Sequence, residues 1–287
     1  MIAVLKHELR SYFHSFTAYV FGAFFLVIIG IGALLYNLQA AVSNFEYVLS
    51  FASIIYVVIV PLLTMRVIAE ERKQRTDQLM YALPLSTMQV VLGKYLALLA
   101  LYLVPILIIC AYPLIFSFFG EVYLPVSYGT IVAAFLMGAA LLAVGMFLSS
   151  LTENQGLAAG LGVAVILFNY YSVSLAEYFS ATARGSLIVI LLCVIAIALL
   201  TRALTQNQTF ATMVWAVLCF IICVLYLTDA SRFENLVPNV MKRLSLFEQL
   251  NVFASGVFDL TAVVYFLSVA GFFVFLTVQS LEKRRYL

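Results

Sequence analysis

The chain has 287 residues, of which 65% are hydrophobic and only 10% are charged. Because soluble domains carry roughly 25% charged residues, this composition excludes a water-soluble globular protein and predicts a membrane protein. A net charge of +2, without a basic stripe that contains interleaved aromatic residues, argues against nucleic acid as a partner.

The first 16 residues predict an amphipathic helix that lies in the membrane surface. Apolar side chains recur there at helical spacing, namely Ile2, Leu5, Leu9, Tyr12, Phe13 and Phe16. Basic side chains lie between them, namely Lys6, His7 and Arg10. This pattern is typical of an interfacial helix. The apolar run that follows is too long for the core of a signal peptide, so we expect residues 1–16 to lead into a first membrane span.

Eight long apolar runs follow, most of them near the roughly 20 residues that a membrane-spanning helix needs. They cover residues 17–36, 48–68, 95–119, 127–148, 157–175, 186–200, 210–227 and 260–279. The sixth run is short, and if it and the seventh lay at the interface the count would fall to six. The pattern predicts an all-α, polytopic membrane protein of about eight spans, with one transmembrane domain over residues 1–287.

The basic residues predict the orientation of these spans. Of the 15 Lys and Arg residues, all but Arg184, Arg232, Lys242 and Arg243 fall on the side that holds both termini. Loops rich in Lys and Arg stay in the cytoplasm. We therefore expect the N and C termini to be cytoplasmic.

Two segments between the predicted spans are longer than the other loops. Residues 69–94 are expected in the cytoplasm. Residues 228–259 are expected on the outer side, with an amphipathic helix around Lys242 and Arg243. Neither segment has room for a soluble catalytic domain.

The cores of the predicted spans are nearly free of ionisable side chains. Ion-coupled carriers usually place carboxylates or histidines at membrane depth, and an intramembrane enzyme would need a catalytic pair or metal ligands there. Both histidines lie in the N-terminal segment, and the four cysteines suit apolar packing. We therefore expect no enzyme activity, metal site or cofactor in this chain. A stand-alone ion-coupled secondary transporter is the alternative function.

A polar group late in the fifth run allows two interpretations. Asn169, Tyr170, Tyr171 and Ser172 are adjacent in an otherwise apolar stretch. Such side chains either line a translocation path or hydrogen-bond to neighbouring helices. The sequence favours neither interpretation.

The cytoplasmic segment has the most distinctive pattern in the chain. A charged turn leads into Thr76 and Asp77, which suit the first turn of a short helix over residues 77–83. Pro84 ends that helix. Its apolar face consists of Leu79, Met80 and Leu83. This face either packs on the bilayer or docks a cytoplasmic partner.

This segment resembles the permeases of the ABC type-2 exporter family. Members carry an acidic pair, a basic turn, a Thr-acidic step, a short Leu-rich helix and a Pro-Leu-Ser exit. The corresponding residues here are Glu70, Glu71, Arg72, Thr76, Asp77, Leu79, Pro84, Leu85 and Ser86, followed by Gly93 and Lys94. The family usually places a glycine before the threonine, whereas Arg75 stands there.

The C-terminal residues look like the last span of the gliding-motility-type branch of that family. The matching stretches start at Gly256, Val264 and Leu281. The resemblance covers about residues 1–174 and 256–287. Because the family usually has six spans, residues 186–227 look like an additional helix pair.

The resemblance implies an ATP-driven exporter in a prokaryotic cell membrane. Its permeases pair as homodimers or heterodimers, surrounded by membrane lipid, on two cytoplasmic ATPase subunits. ATP and Mg²⁺ would bind those subunits, because this chain has no G-x-x-x-x-G-K-[ST] phosphate loop. The implied coupling residues are Glu70, Glu71, Arg72, Thr76, Asp77, Leu79, Met80 and Leu83. The substrate stays open between lipids, amphipathic peptides and hydrophobic drugs.

Overall fold

The structure is a computed structural model that describes residues 1–76, 86–178, 182–205 and 208–285. All regular secondary structure in these ranges is helical. Six helical segments in the described ranges are long and apolar enough to cross a membrane: Ala18–Gln39, Glu46–Lys73, Thr87–Ser117, Leu124–Leu151, Gln155–Tyr178 and Leu260–Lys283. The chain is thus a multi-pass, all-α protein. The two further spans and the orientation of the termini stay predictions.

The N terminus forms a helix that joins the first span almost directly. α1 (Ile2–His14) ends at Ser15, whose extended backbone, with φ −91° and ψ 148°, turns the chain. α2 (Phe16–Gly32) follows, and a π-helical stretch, Ala33–Gln39, completes the span. α1 therefore lies next to the end of a membrane-crossing helix.

The second span consists of several short helical pieces. α3 (Glu46–Ala52) passes through a 3-10 turn into α4 (Tyr56–Thr64), which contains Pro61. Proline has no N–H to donate within a helix, so the span is not one regular helix. After four turn residues, α5 (Ala69–Lys73) begins the predicted cytoplasmic segment.

The helix of the third span begins before the apolar run does. The Ser86 hydroxyl accepts a hydrogen bond from the Gln89 N–H at 3.3 Å, and the Gln89 side chain accepts one from the Ser86 N–H at 3.3 Å. This capping box starts α6 (Thr87–Ile109). Residues 87–94, the last part of the predicted cytoplasmic segment, are therefore helical and continuous with the span. α7 (Ala111–Ser117) completes it.

The fourth and fifth spans are single helices, α8 (Leu124–Leu151) and α9 (Gln155–Tyr178). Asn154 caps the second of them, because its Oδ1 accepts hydrogen bonds from the N–H groups of Gly156 at 2.9 Å and Leu157 at 3.4 Å. These amides have no acceptor within the helix. A polar turn of three residues is therefore enough to separate the two spans.

Residues Tyr171–Ser245 form a compact unit of their own. In it, α10 (Ala183–Thr205) packs against α11 (Gln208–Thr228), and α12 (Leu236–Leu244) follows a 3-10 turn. α10 and α11 correspond to the additional helix pair expected from the sequence. Whether they cross the membrane stays a prediction.

The other unit comprises Met1–Tyr170 and Leu246–Leu287. It ends with α13 (Leu246–Ala254) and α14 (Leu260–Arg285). α8 lies at its centre, packed against α3, α4, α6, α13 and α14. A Cβ on Gly145 of α8 would lie 2.9 Å from the Cβ of Thr64, so this glycine lets α4 and α8 approach closely.

Candidate functional site

Four of the eight predicted coupling residues lie in the described ranges. Glu70, Glu71 and Arg72 belong to α5, and Thr76 follows its end. The Arg72 side chain is buried. The remaining predicted coupling residues, and the whole of the predicted helix 77–83, lie outside the described residues: Asp77, Leu79, Met80 and Leu83.

α5 ends in a turn that needs a residue with positive φ. The Thr76 N–H donates to the Glu71 carbonyl at 2.9 Å, and the Arg75 N–H donates to the Arg72 carbonyl at 3.1 Å. Arg75 has a φ of 57°. These two bonds define a Schellman motif, in which the left-handed residue is usually glycine. The glycine that the resemblance leads one to expect at this position would suit a left-handed residue, and Arg75 adopts that conformation here.

A buried lysine connects α5 to two other parts of the chain. The Lys94 side chain on α6 is 2% exposed. Its Nζ donates to Glu8 Oε1 on α1 at 2.7 Å, to Glu71 Oε1 on α5, and to the Val67 carbonyl at 3.2 Å. An ammonium has three N–H donors, and all three have acceptors. We refer to Glu8, Glu71 and Lys94 as the Lys94 cluster.

The two carboxylates of the Lys94 cluster compensate the cost of burying the ammonium. An unpaired buried charge costs several kcal/mol. The side chains of Glu8 and Glu71 are 13% and 23% exposed, so water reaches the cluster only from their side. The Lys94 cluster therefore links α1, α5 and α6 through ion pairs.

Tyr12 of α1 lies within reach of the same charges. Burial, followed by the negative charges of Glu8, Glu71 and Glu70, raises the pKa of its hydroxyl well above the usual range. Both influences disfavour the phenolate, so Tyr12 stays neutral. Glu70 and Glu71 belong to α5, so charges on α5 act on this side chain of α1.

α1 also approaches α6 closely beside the Lys94 cluster. A Cβ on Gly93 would lie 3.0 Å from the Cβ and Cγ1 of Val4, and 3.3 Å from the Met1 carbonyl oxygen. A side chain at this position would push α1 away from α6. Adjacent residues of α6 therefore hold α1 in two ways, Gly93 by close packing and Lys94 by an ion pair.

Ser149 of α8 holds the turn between α4 and α5. Its buried hydroxyl accepts hydrogen bonds from the N–H groups of Ile68 at 3.3 Å and Ala69 at 3.1 Å, and donates to the Met65 carbonyl at 3.2 Å. These backbone groups lie where the helix is interrupted and lack helical partners. The start of α5 is thus tied to the central helix of the unit.

A second buried charge lies at the opposite end of the second span. Glu46 is 2% exposed, and its carboxylate accepts hydrogen bonds from Asn44 Nδ2 and Ser127 Oγ, each at 3.5 Å. Glu46 lies two residues before the predicted span 48–68, and Lys94 lies one residue before the predicted span 95–119. Both helices begin earlier than the apolar runs, so these two residues are helical and lie beyond the span cores that were predicted to hold almost no ionisable side chains.

Two of the four polar residues in the fifth span contact α13. Asn169 Oδ1 accepts a hydrogen bond from the Leu246 N–H at 3.0 Å, and the Tyr170 ring meets Phe247 edge-on, with the centroids 5.0 Å apart. These contacts favour the packing interpretation for Asn169 and Tyr170. Tyr171 is 45% exposed and Ser172 is buried. A role for these residues in a translocation path stays a prediction.

Three residues of this site were not predicted from the sequence: Glu8, Lys94 and Ser149. Lys94 stood one residue before the predicted third span, and Ser149 one residue after the predicted fourth. The available signal was Glu8, the one acidic residue in a basic N-terminal segment, which shares a helix face with Leu5 and Tyr12.

A comparison with known families found one match. Residues 31–168 match the model of the family described as ABC-2 family transporter protein. This match supports the ABC type-2 permease family. It includes Glu71, Lys94 and Ser149, whereas Glu8 lies before it. No curated protein and no solved structure matches the chain. The gliding-motility-type branch of the ABC-2 permeases stays a prediction.

Proposed function

We propose that this chain is the membrane-spanning permease subunit of an ATP-driven ABC exporter in a prokaryotic cell membrane. The match of residues 31–168 to the ABC-2 transporter family carries this proposal. Six apolar helices of spanning length support it. ATP and Mg²⁺ bind to separate ATPase subunits, since the chain has no phosphate loop.

The cytoplasmic segment transmits the movement of the ATPase to the spans. In this proposal the ATPase docks on Leu79, Met80 and Leu83, beyond the base formed by α5. The contacts of that base support the idea, because Lys94 joins α5 to α1 and α6. Ser149 joins the same base to α8. A force on the segment would therefore reach the N-terminal helix and two spans together.

A second copy of this chain, or a paralogue, completes the translocation path. The fifth span is the least apolar of the six and also the least buried. A helix that faced lipid on most sides would be expected to be strongly apolar. Gly160 of this span has nothing within 4 Å of a Cβ placed on it, which leaves room for another helix to approach.

An ion-coupled carrier is the second candidate function, and Glu46 is the observation that favours it. Buried carboxylates bind protons or cations in many carriers, and Glu46 is 2% exposed with neutral hydrogen-bond donors. Glu46→Gln separates the two candidates. ATP-driven transport should survive this substitution, whereas transport driven by an ion gradient should be lost.

The permease proposal is tested by association with an ATPase. The tagged chain is purified in mild detergent from its native membrane, and the accompanying proteins are identified by mass spectrometry. We expect an ATPase subunit that is lost in Leu79→Asp. Leu244→Asp introduces the same charge at an exposed leucine of α12 and should keep the ATPase. If the ATPase is retained in both variants, the proposed docking face of Leu79, Met80 and Leu83 is refuted.

A further inference from the structure

α1 has a face that no other part of the described structure covers. Its side chains Val4 and Glu8 face α6, at Gly93 and Lys94. On another side, Ile2 is 74% exposed, Phe13 41% and Phe16, just after the helix, 82%. These large apolar side chains require a non-aqueous surrounding.

Basic side chains border this apolar face. Lys6, Arg10 and His14 stand four residues apart on α1, so they form one line along the helix, and all three are exposed. Within the described ranges, neither Lys6 nor Arg10 forms an ion pair. Glu8, the acidic residue of the helix, is bound to Lys94 on another face. The exposed side of α1 is therefore positive.

The short connection between α1 and the first span indicates the surroundings of this apolar face. Ser15 alone separates α1 from α2, and the first span begins at Ala18. α1 consequently lies at the level of the lipid head groups. A helix of this kind places its apolar face at the acyl boundary and its basic residues beside the phosphates. Each basic residue near an anionic membrane surface favours binding by roughly fivefold.

We propose that Lys6 and Arg10 form a binding site for the head group of an anionic phospholipid. The phosphodiester lies between the two side chains, while Phe13 and Phe16 contact the acyl chains of the same leaflet. Glu8 stands between Lys6 and Arg10 in sequence and supplies a carboxylate to Lys94. Bound lipid thus also holds α1 in the position that completes the Lys94 cluster. The inference rests on the membrane position of α1 and is independent of the ATPase.

A fluorescence quenching experiment tests this site in the full chain. Phe16→Trp places a reporter beside it, and Trp215→Phe removes the only natural tryptophan. The protein is reconstituted in phosphatidylcholine vesicles that contain either brominated phosphatidylglycerol or brominated phosphatidylcholine. We expect the phosphatidylglycerol to be preferred at least threefold at low salt, and the preference to vanish in Lys6→Gln/Arg10→Gln.

Two further variants decide between a site and a general charge effect. Lys6→Arg/Arg10→Lys keeps both charges and should keep the preference. Lys242→Gln/Arg243→Gln removes two exposed charges from α12 and should also keep it. Equal quenching by both lipids in the reporter protein would overturn the proposal. So would an equal loss of preference in the α12 variant.

Discussion

Lys94 Nζ lies 2.7 Å from Glu8 Oε1, although 86 residues separate the two along the chain. Glu71 accepts a hydrogen bond from the same ammonium. The N-terminal helix, α5 and the third span therefore meet at one charge. A displacement of any of these three elements alone would expose or unpair a buried ion, so we expect them to move together.

Lys94→Met should destabilise the chain strongly. Loss of the ammonium leaves Glu8 and Glu71 facing each other without a counter-charge, and breaking a buried ion pair in this way costs about 3–5 kcal/mol. Because both carboxylates are partly exposed, we expect a value at or below the lower end of this range. Chemical unfolding in detergent micelles measures it.

Two controls show whether the charge is responsible. Lys283→Met removes an exposed lysine from α14 and should leave stability unchanged. Adding Glu8→Gln and Glu71→Gln to Lys94→Met should recover most of the loss, since no charge then stays unpaired. A Lys94→Met protein as stable as the parent would show that the Lys94 cluster does not stabilise the fold.

Arg75→Gly should strengthen the turn that ends α5. Arg75 has a φ of 57°, a conformation that glycine adopts without strain and other residues adopt at a cost of about 1 kcal/mol. Arg75→Val should weaken the turn, because a β-branched side chain disfavours positive φ. The measurement is hydrogen exchange of the Thr76 amide, which donates to the Glu71 carbonyl. Slower exchange of the Thr76 amide in Arg75→Val than in Arg75→Gly would refute this explanation.

Gly145→Ala should destabilise the chain, whereas Gly160→Ala should not. A Cβ on Gly145 would lie 2.9 Å from the Cβ and Cγ2 of Thr64, whose hydroxyl donates to the Val60 carbonyl at 2.9 Å and is thereby held in place. Such overpacking costs about 1–3 kcal/mol. Gly160 has no neighbour within 4 Å of its Cβ position. Thermal unfolding of both variants in one detergent makes the comparison, and equal midpoints would contradict the close contact of α4 and α8.

Tyr12 should resist ionisation at alkaline pH. Burial and the charges of Glu8, Glu71 and Glu70 raise the pKa of its hydroxyl, so the folded chain holds this proton more tightly than the unfolded chain, in which the pKa is about 10. The stability that this group contributes is therefore complete below about pH 10 and is lost as the pH rises further.

The absorbance of tyrosinate at 295 nm measures this effect. The difference between the titrations of the parent and Tyr12→Phe isolates one hydroxyl, and it should show no ionisation near pH 10. Glu8→Gln should move the ionisation of Tyr12 to lower pH. An ordinary titration of Tyr12 in the folded parent would contradict the position of α1 beside these charges.

The fold was predictable wherever a local pattern determines it. The long apolar runs predicted the six described spans, because a bilayer requires continuous apolar helices. The starts of the second and third spans were less predictable. Glu46 and Lys94 are buried by partners such as Ser127 and Glu8, and these partners are distant in sequence. Local hydropathy assigns such charges to loops.

The candidate site was predictable only in part for the same reason. The charged turn around Glu71 was identified by its resemblance to known permeases, and the glycine expected before Thr76 proves to mark a left-handed position at Arg75. Other helices supply Lys94, which binds Glu71, and Ser149, which binds the backbone at the start of α5. The sequence marks Glu8 as an unusual acidic residue in a basic segment, but it does not show which distant residue is its partner.

If this chain is a permease driven by a separate ATPase, as we propose, the two should form a stable complex. The most direct measurement is native mass spectrometry of the tagged chain, extracted with mild detergent from its own membrane. We predict a complex of two permease subunits with two ATPase subunits that separates when Leu79 is changed to Asp. A folded chain recovered without an ATPase, and able to move solute along an ion gradient without ATP, would contradict the account.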